Sequence, residues 1–151
     1  MRQILPRNLL SGHTGVTQMQ GERMARVVLS MIAEPNDAAS GHVLARVGGV
    51  ETLRLIEADD PVPGLARADA LMWRERLGAR ITPGLLGHVA ETQGGAFGTL
   101  IPSDEDWPAG LDDLGDRAPY LLWTRGATSF LTRALSDRDW HVAELKLALL
   151  P

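Results

Sequence analysis

The residues with chemical potential are few and scattered. Four histidines, His13, His42, His88 and His141, stand far apart, and none has another histidine four residues away. The chain has no cysteine, which excludes a thiolate nucleophile, a zinc knuckle and a disulfide framework. A metal site would then need carboxylates beside the histidines. No G-x-S-x-G elbow and no P-loop occurs, and Gly94, Gly95 and Gly98 fit neither phosphate-loop spacing. No nucleophile–base pair is visible, and neither a cofactor nor a small-molecule substrate is implied. The residues point away from an enzyme.

Binding chemistry is better represented. Gly48-Gly49 lies between two apolar, helix-period stretches, with Arg46 before it and Arg54 after it. A Gly-rich turn that opens a helix presents backbone amides to an anion such as phosphate. The same pair also serves as a plain helix stop. Arg46, Gly48, Gly49 and Arg54, with Arg125 and Arg133, are the candidate nucleic-acid contacts. Arg67, Arg74, Arg76 and Arg80 form either a solvated helix face or a second phosphate-binding row. Trp73 and Trp107 are candidates for stacking on bases, whereas Trp123 reads as part of a sheet or core. Six acids, Asp104, Glu105, Asp106, Asp112, Asp113 and Asp116, fall within thirteen positions. They read as a solvated face, and they would repel DNA phosphates.

With 151 residues, the chain is long enough to bury about 68–70% of its unfolded surface. Its 44% hydrophobic and 23% charged residues are ordinary for a globular protein. Residues 1–101 are balanced in charge, and residues 102–151 carry the whole net charge of −4. That is not the strongly basic balance of a dedicated nucleic-acid binder. Fourteen of the fifteen basic residues are Arg. This fits a GC-rich coding sequence as well as a set of phosphate forks. No apolar run suits a membrane span or a signal peptide. The expected location is cytoplasmic.

The elements follow from periodicity. Residues 1–20 show no clear period and read as a flexible arm. From Gly21, the residues Met24, Val27, Val28, Met31 and Ile32 recur at helical spacing, and Pro35 ends that helix. Ser40 is placed to cap a short helix carrying Val43, Leu44 and Val47, which Gly48-Gly49 closes. A third helix runs over residues 50–58. A fourth runs over residues 65–77, with Leu65, Ala68, Leu71 and Met72 on its apolar face. Pro83 opens a short helix. Residues 97–101 and 120–124 read as strands around a helical turn over residues 107–114. Residues 129–135 read as a short helix, and the tail from Trp140 as a helix or a strand. The fold class is mostly α with a few short strands.

The stretch from Thr99 to Gly126, TLIPSDEDWPAGLDDLGDRAPYLLWTRG, resembles a segment of the DNA-processing protein A (DprA/Smf) family, the one that opens its extended Rossmann-like domain. Pro102, Asp104, Trp107, Pro108, Leu111, Leu114, Asp116, Pro119, Leu122, Trp123 and Gly126 fill that family's pattern. Upstream, VLARVGGVETLRLI resembles the family's N-terminal SAM-like, or helix-hairpin-helix, module. Gly78-Ala79-Arg80-Ile81 looks like the start of its next strand. The resemblance implies a helical bundle over residues 21–78, an incomplete Rossmann-like segment over residues 79–138 and a divergent tail over residues 139–151. It also implies single-stranded DNA and a RecA-type recombinase as partners, in DNA-mediated transformation and recombination. After Arg138 the family continues into a strand ending in the Gly-Ser-Arg or Gly-Ala-Arg loop that holds single-stranded DNA. This chain reads DWHVAELKLALLP instead, so no DNA-binding residue of the family carries over. The expectation is a truncated DprA-like module with weak DNA contacts. The alternative is a non-enzymatic protein-interaction module or a remnant, whose exposed strand edge would favour self-association.

Overall fold

The computed structural model describes residues 15–93, 95 and 97–128. The readings for residues 1–14, for Arg133, for the helix over residues 129–135 and for the tail lie outside them. Four α-helices come first: α1 (Gly15–Ile32), α2 (Ala38–Glu57), α3 (Arg67–Gly78) and α4 (Pro83–Gln93). Strand β1 (Gly98–Leu100), a 3-10 helix (Ala109–Arg117) and strand β2 (Leu122–Thr124) follow. Among the described residues the architecture is mostly helical, with one two-stranded sheet.

Helix α1 starts at Gly15, inside the stretch expected to be an arm. Its buried face is Ala25, Val27, Val28, Leu29 and Ile32, while Met24 is partly exposed. The chain turns at Pro35-Asn36, where Asn36 takes a left-handed φ of 67°, a conformation Asn tolerates well. Helix α2 begins after Asp37, not at Ser40. Ser40 is buried, and its hydroxyl donates to the Asp37 carboxylate (2.6 Å) instead of capping an amide. Gly48, at φ 78° and ψ 172°, breaks α2 into two abutting helical segments. Only glycine adopts that backbone cheaply.

Helix α3 departs most from its pattern. Ala70, Trp73 and Leu77 face the core, and Leu71 and Met72 face outward at 55% and 71% exposure. Trp73 has the larger apolar area and an N–H needing a partner. Burying it rotates Leu71 and Met72 into solvent. Its indole N–H donates to Ser40 Oγ (3.0 Å). Trp107 is likewise buried, and its N–H donates to Asp112 (3.2 Å). Neither ring is free to stack on a base.

The two strands pair antiparallel, with Gly98 opposite Thr124, Thr99 opposite Trp123 and Leu100 opposite Leu122. No parallel strand occurs among the described residues. The segment from Leu100 to Leu121 buries Ile101 and Tyr120 in the same core as α1, α2 and α3. At one point the backbones meet directly, because a Cβ on Gly41 would run into the Asp116 carbonyl. Gly41→Ala should therefore cost roughly 3 kcal/mol, the upper end for overpacking. Gly110→Ala, with open space around it, should change stability by less than about 1 kcal/mol. Urea denaturation of the two variants checks the contrast.

Candidate nucleic-acid interface

The Gly48-Gly49 turn does present backbone amides to an oxyanion. That oxyanion is a side chain of the protein itself. Both carboxylate oxygens of Glu22, on α1, accept from the Gly49 N–H at 2.8 Å, and Oε2 also accepts from Val50 N–H at 3.3 Å. These are the first amides of the second segment of α2, which have no partner within their own helix. The carboxylate takes the place a phosphate would fill. Arg26, one turn along α1, donates Nε–H to Glu22 (2.7 Å) and Nη1–H to the Tyr120 carbonyl (2.9 Å). Gly49 is buried.

The flanking cations are held differently. Arg54 makes a two-pronged pair with Glu51 (2.7 and 2.8 Å) and a third bond to Asp60 (2.6 Å). Hydrogen bonds to Glu51 and Asp60 raise its already high pKa, and the Arg54 hydrogen bonds lower that of Glu51. A phosphate at Arg54 would have to displace two carboxylates. Arg46 is exposed and reaches only His42, at 2.7 Å from Nδ1. The same His42 nitrogen lies 2.9 Å from Asp116. A single Nδ1 cannot accept from Arg46 and donate to Asp116 at once, so the two contacts compete. Arg125 is exposed and makes no ion pair among the described residues. The structure thus brings Arg46, Gly48 and Gly49 to one turn and does not join Arg54 to them as an open site.

Three of the four arginines of the second row, Arg74, Arg76 and Arg80, are spent on contacts within the protein, whereas Arg67 is exposed. Arg74 donates to the carbonyls of Leu55 (2.8 Å) and Asp60, at and beyond the end of α2. Arg80 donates to the Ile32 carbonyl at the end of α1 (2.9 Å) and to Glu34. Arg76 pairs with Asp37 (2.7 Å). Helix C-termini carry unpaired carbonyls and partial negative charge, which guanidinium groups satisfy. Residue types alone could not separate this use from phosphate binding.

Sequence reasoning missed Arg23. Its guanidinium grips both oxygens of Asp104 (2.5 and 2.9 Å) and the Thr99 carbonyl (2.7 Å). Asp104 also accepts from the Ile101 N–H (2.8 Å). Arg23, Thr99, Leu100, Asp104, Glu105 and Asp106 line an open cleft of about 490 Å³. Among the described residues its only lining cation, Arg23, is already paired, and Glu105 and Asp106 make its rim acidic. No cluster of His and carboxylates that could hold a metal occurs among the described residues. No family model, curated protein or solved structure matches the chain.

Two titrations follow from this arrangement. Burial pushes the Asp104 pKa up, but the Arg23 hydrogen bonds, the Ile101 amide and the Arg23 charge together hold it below its usual value. Stability from this contact is present above the unfolded carboxylate range, about pH 4, and fades as pH falls through the lowered folded value. In Asp104→Asn the acid limb of a stability–pH curve should lose that component. Tyr120 is the only tyrosine. Burial, with the nearby Asp37 charge, pushes its pKa up to about 12. The folded state thus favours the neutral phenol, and the chain should lose stability as pH rises from about 10 towards 12. Phenolate absorbance should rise near pH 10 in urea and only at higher pH in the native protein.

Proposed function

We propose that the chain is a non-enzymatic DNA-processing module of the DprA/Smf kind, a SAM-like helical bundle joined to the opening of a Rossmann-like segment. One observation supports this reading above others. Residues that carry the resemblance also fasten the segment to the bundle. Asp104 is held by Arg23 of α1, and Asp116 meets His42 and Gly41 of α2. The motif and the helical module thus form one folded unit, as a family spanning both would require. In this reading Arg46 and Arg125, with Arg133, make weak contacts to single-stranded DNA, and a RecA-type recombinase is the protein partner.

A second reading has its own support. Glu22 occupies the turn amides, and Glu51 and Asp60 neutralise Arg54. A chain of net charge −4 with its anion-binding turn filled suits a protein-interaction module without DNA contact.

Fluorescence anisotropy of a labelled single-stranded oligonucleotide separates the two. The DNA reading expects weak binding that falls with salt. Each lost phosphate contact should lower the log–log salt slope by roughly 0.7, so Arg46→Glu and Arg125→Glu should each flatten it. Absence of binding at low salt would instead favour the protein-interaction module.

A further inference from the structure

Helix α3 has a second face that the core does not use. Ala68, Leu71, Met72, Glu75 and Ala79 are all exposed and share one side of the helix. Leu71 and Met72 are the two most exposed large hydrophobic residues among those described. Arg67 and Glu75 are also exposed, and neither has an ion pair among the described residues. Most of the other described arginines on α1–α3 are committed to a carboxylate or a carbonyl. The uncommitted pair therefore stands out.

Their spacing suggests an occupant. Arg67 lies four residues before Leu71, and Glu75 four residues after it. Residues four apart fall on one helix face, so the three form a line with the apolar residue at its centre and opposite charges at its ends. That line is self-complementary under a two-fold axis. When two copies of α3 pair antiparallel with the Leu71 side chains at the axis, each Arg67 comes level with Glu75 of the other copy. Both ends lie about 6 Å along the helix from the axis. Such an isologous contact is the commonest oligomer geometry. Arg67 also sits at the positive N-terminal end of its own helix, where a cation is disfavoured. A facing carboxylate offsets that.

We infer that the outer face of α3 is a homodimer contact, centred on Leu71 and Met72 and keyed in register by Arg67 and Glu75. A single helix face is smaller than a standard stable interface, so the dimer is weak and forms with rising concentration. It is distinct from pairing at the strand edges, and it does not depend on the DNA-processing reading.

The test is sedimentation equilibrium over micromolar to hundreds-of-micromolar protein, on the full chain. The wild type should show a mass rising from monomer towards dimer. Leu71→Glu and Met72→Glu should remain monomeric across the range, with unchanged far-ultraviolet circular dichroism, because both side chains lie outside the core. Arg67→Glu and Glu75→Arg should each weaken the dimer about tenfold by facing like charges across the axis. The double charge swap should restore it to within about threefold. A monomer at every concentration would overturn the proposal, whether the face is bare or covered by another partner. So would a dimer indifferent to Leu71→Glu, as edge pairing would give, or a double swap that fails to rescue.

Discussion

The carboxylate of Glu22 against the Gly49 amide is the contact on which the arrangement of the chain turns. A helix that restarts after a left-handed glycine exposes amides that must be paired or solvated. In this protein they are paired from α1, so the kink in α2 and the position of α1 are set together. Hydrogen bonds to a charged group contribute roughly 1.5–3 kcal/mol each. Removing the acceptor would also leave the largely buried turn with unpaired donors. Arg26 carries the coupling one step further, joining Glu22 to the Tyr120 carbonyl ahead of β2. Arg23, next to Glu22 in sequence, reaches the other strand and the Asp104 turn. Three polar residues within little more than one turn of α1 thereby hold the α2 kink, strand β1 with the turn that follows it, and the lead-in to β2.

Six of the ten described arginines, Arg23, Arg26, Arg54, Arg74, Arg76 and Arg80, are committed to acids or main-chain carbonyls rather than left as open cationic surface. Their guanidinium groups cap helix ends, bridge to acids and reach carbonyls across the fold. Arg suits that work because its planar fork can satisfy two or three acceptors at once. A smaller, buried polar line does the same between helices. Trp73 donates to Ser40, Ser40 donates to Asp37, and Arg76 donates to Asp37 as well. Every buried side-chain polar atom among the described residues has a partner. That is the condition under which polar groups inside a core rigidify it.

Several elements were legible in the sequence because local physics governs them. Pro35 ends the first helix, Gly48 breaks the second, Pro83 opens the fourth, and the apolar runs near residues 98–100 and 122–124 form strands. Other features were not legible. The early start of α1 at Gly15 carries no hydrophobic period, since that turn has few apolar residues to mark a face. The rotation of α3 depended on a competition between Trp73 and the Leu71-Met72 pair, which helical periodicity alone cannot decide. The candidate turn was found from Gly48-Gly49, but its occupant lies 27 residues upstream, and nothing in local spacing links them.

The sequence by itself determined the mostly helical class, the break at Gly48 and the lack of cysteine chemistry. Each of these follows from residue identity or short-range backbone preference. Tertiary structure alone decided which arginines are spent internally, which face of α3 is buried, and which anion fills the Gly48-Gly49 turn. Those outcomes depend on groups distant in the chain competing for the same donors, acceptors and buried volume. Such a competition is settled only when the helices come together.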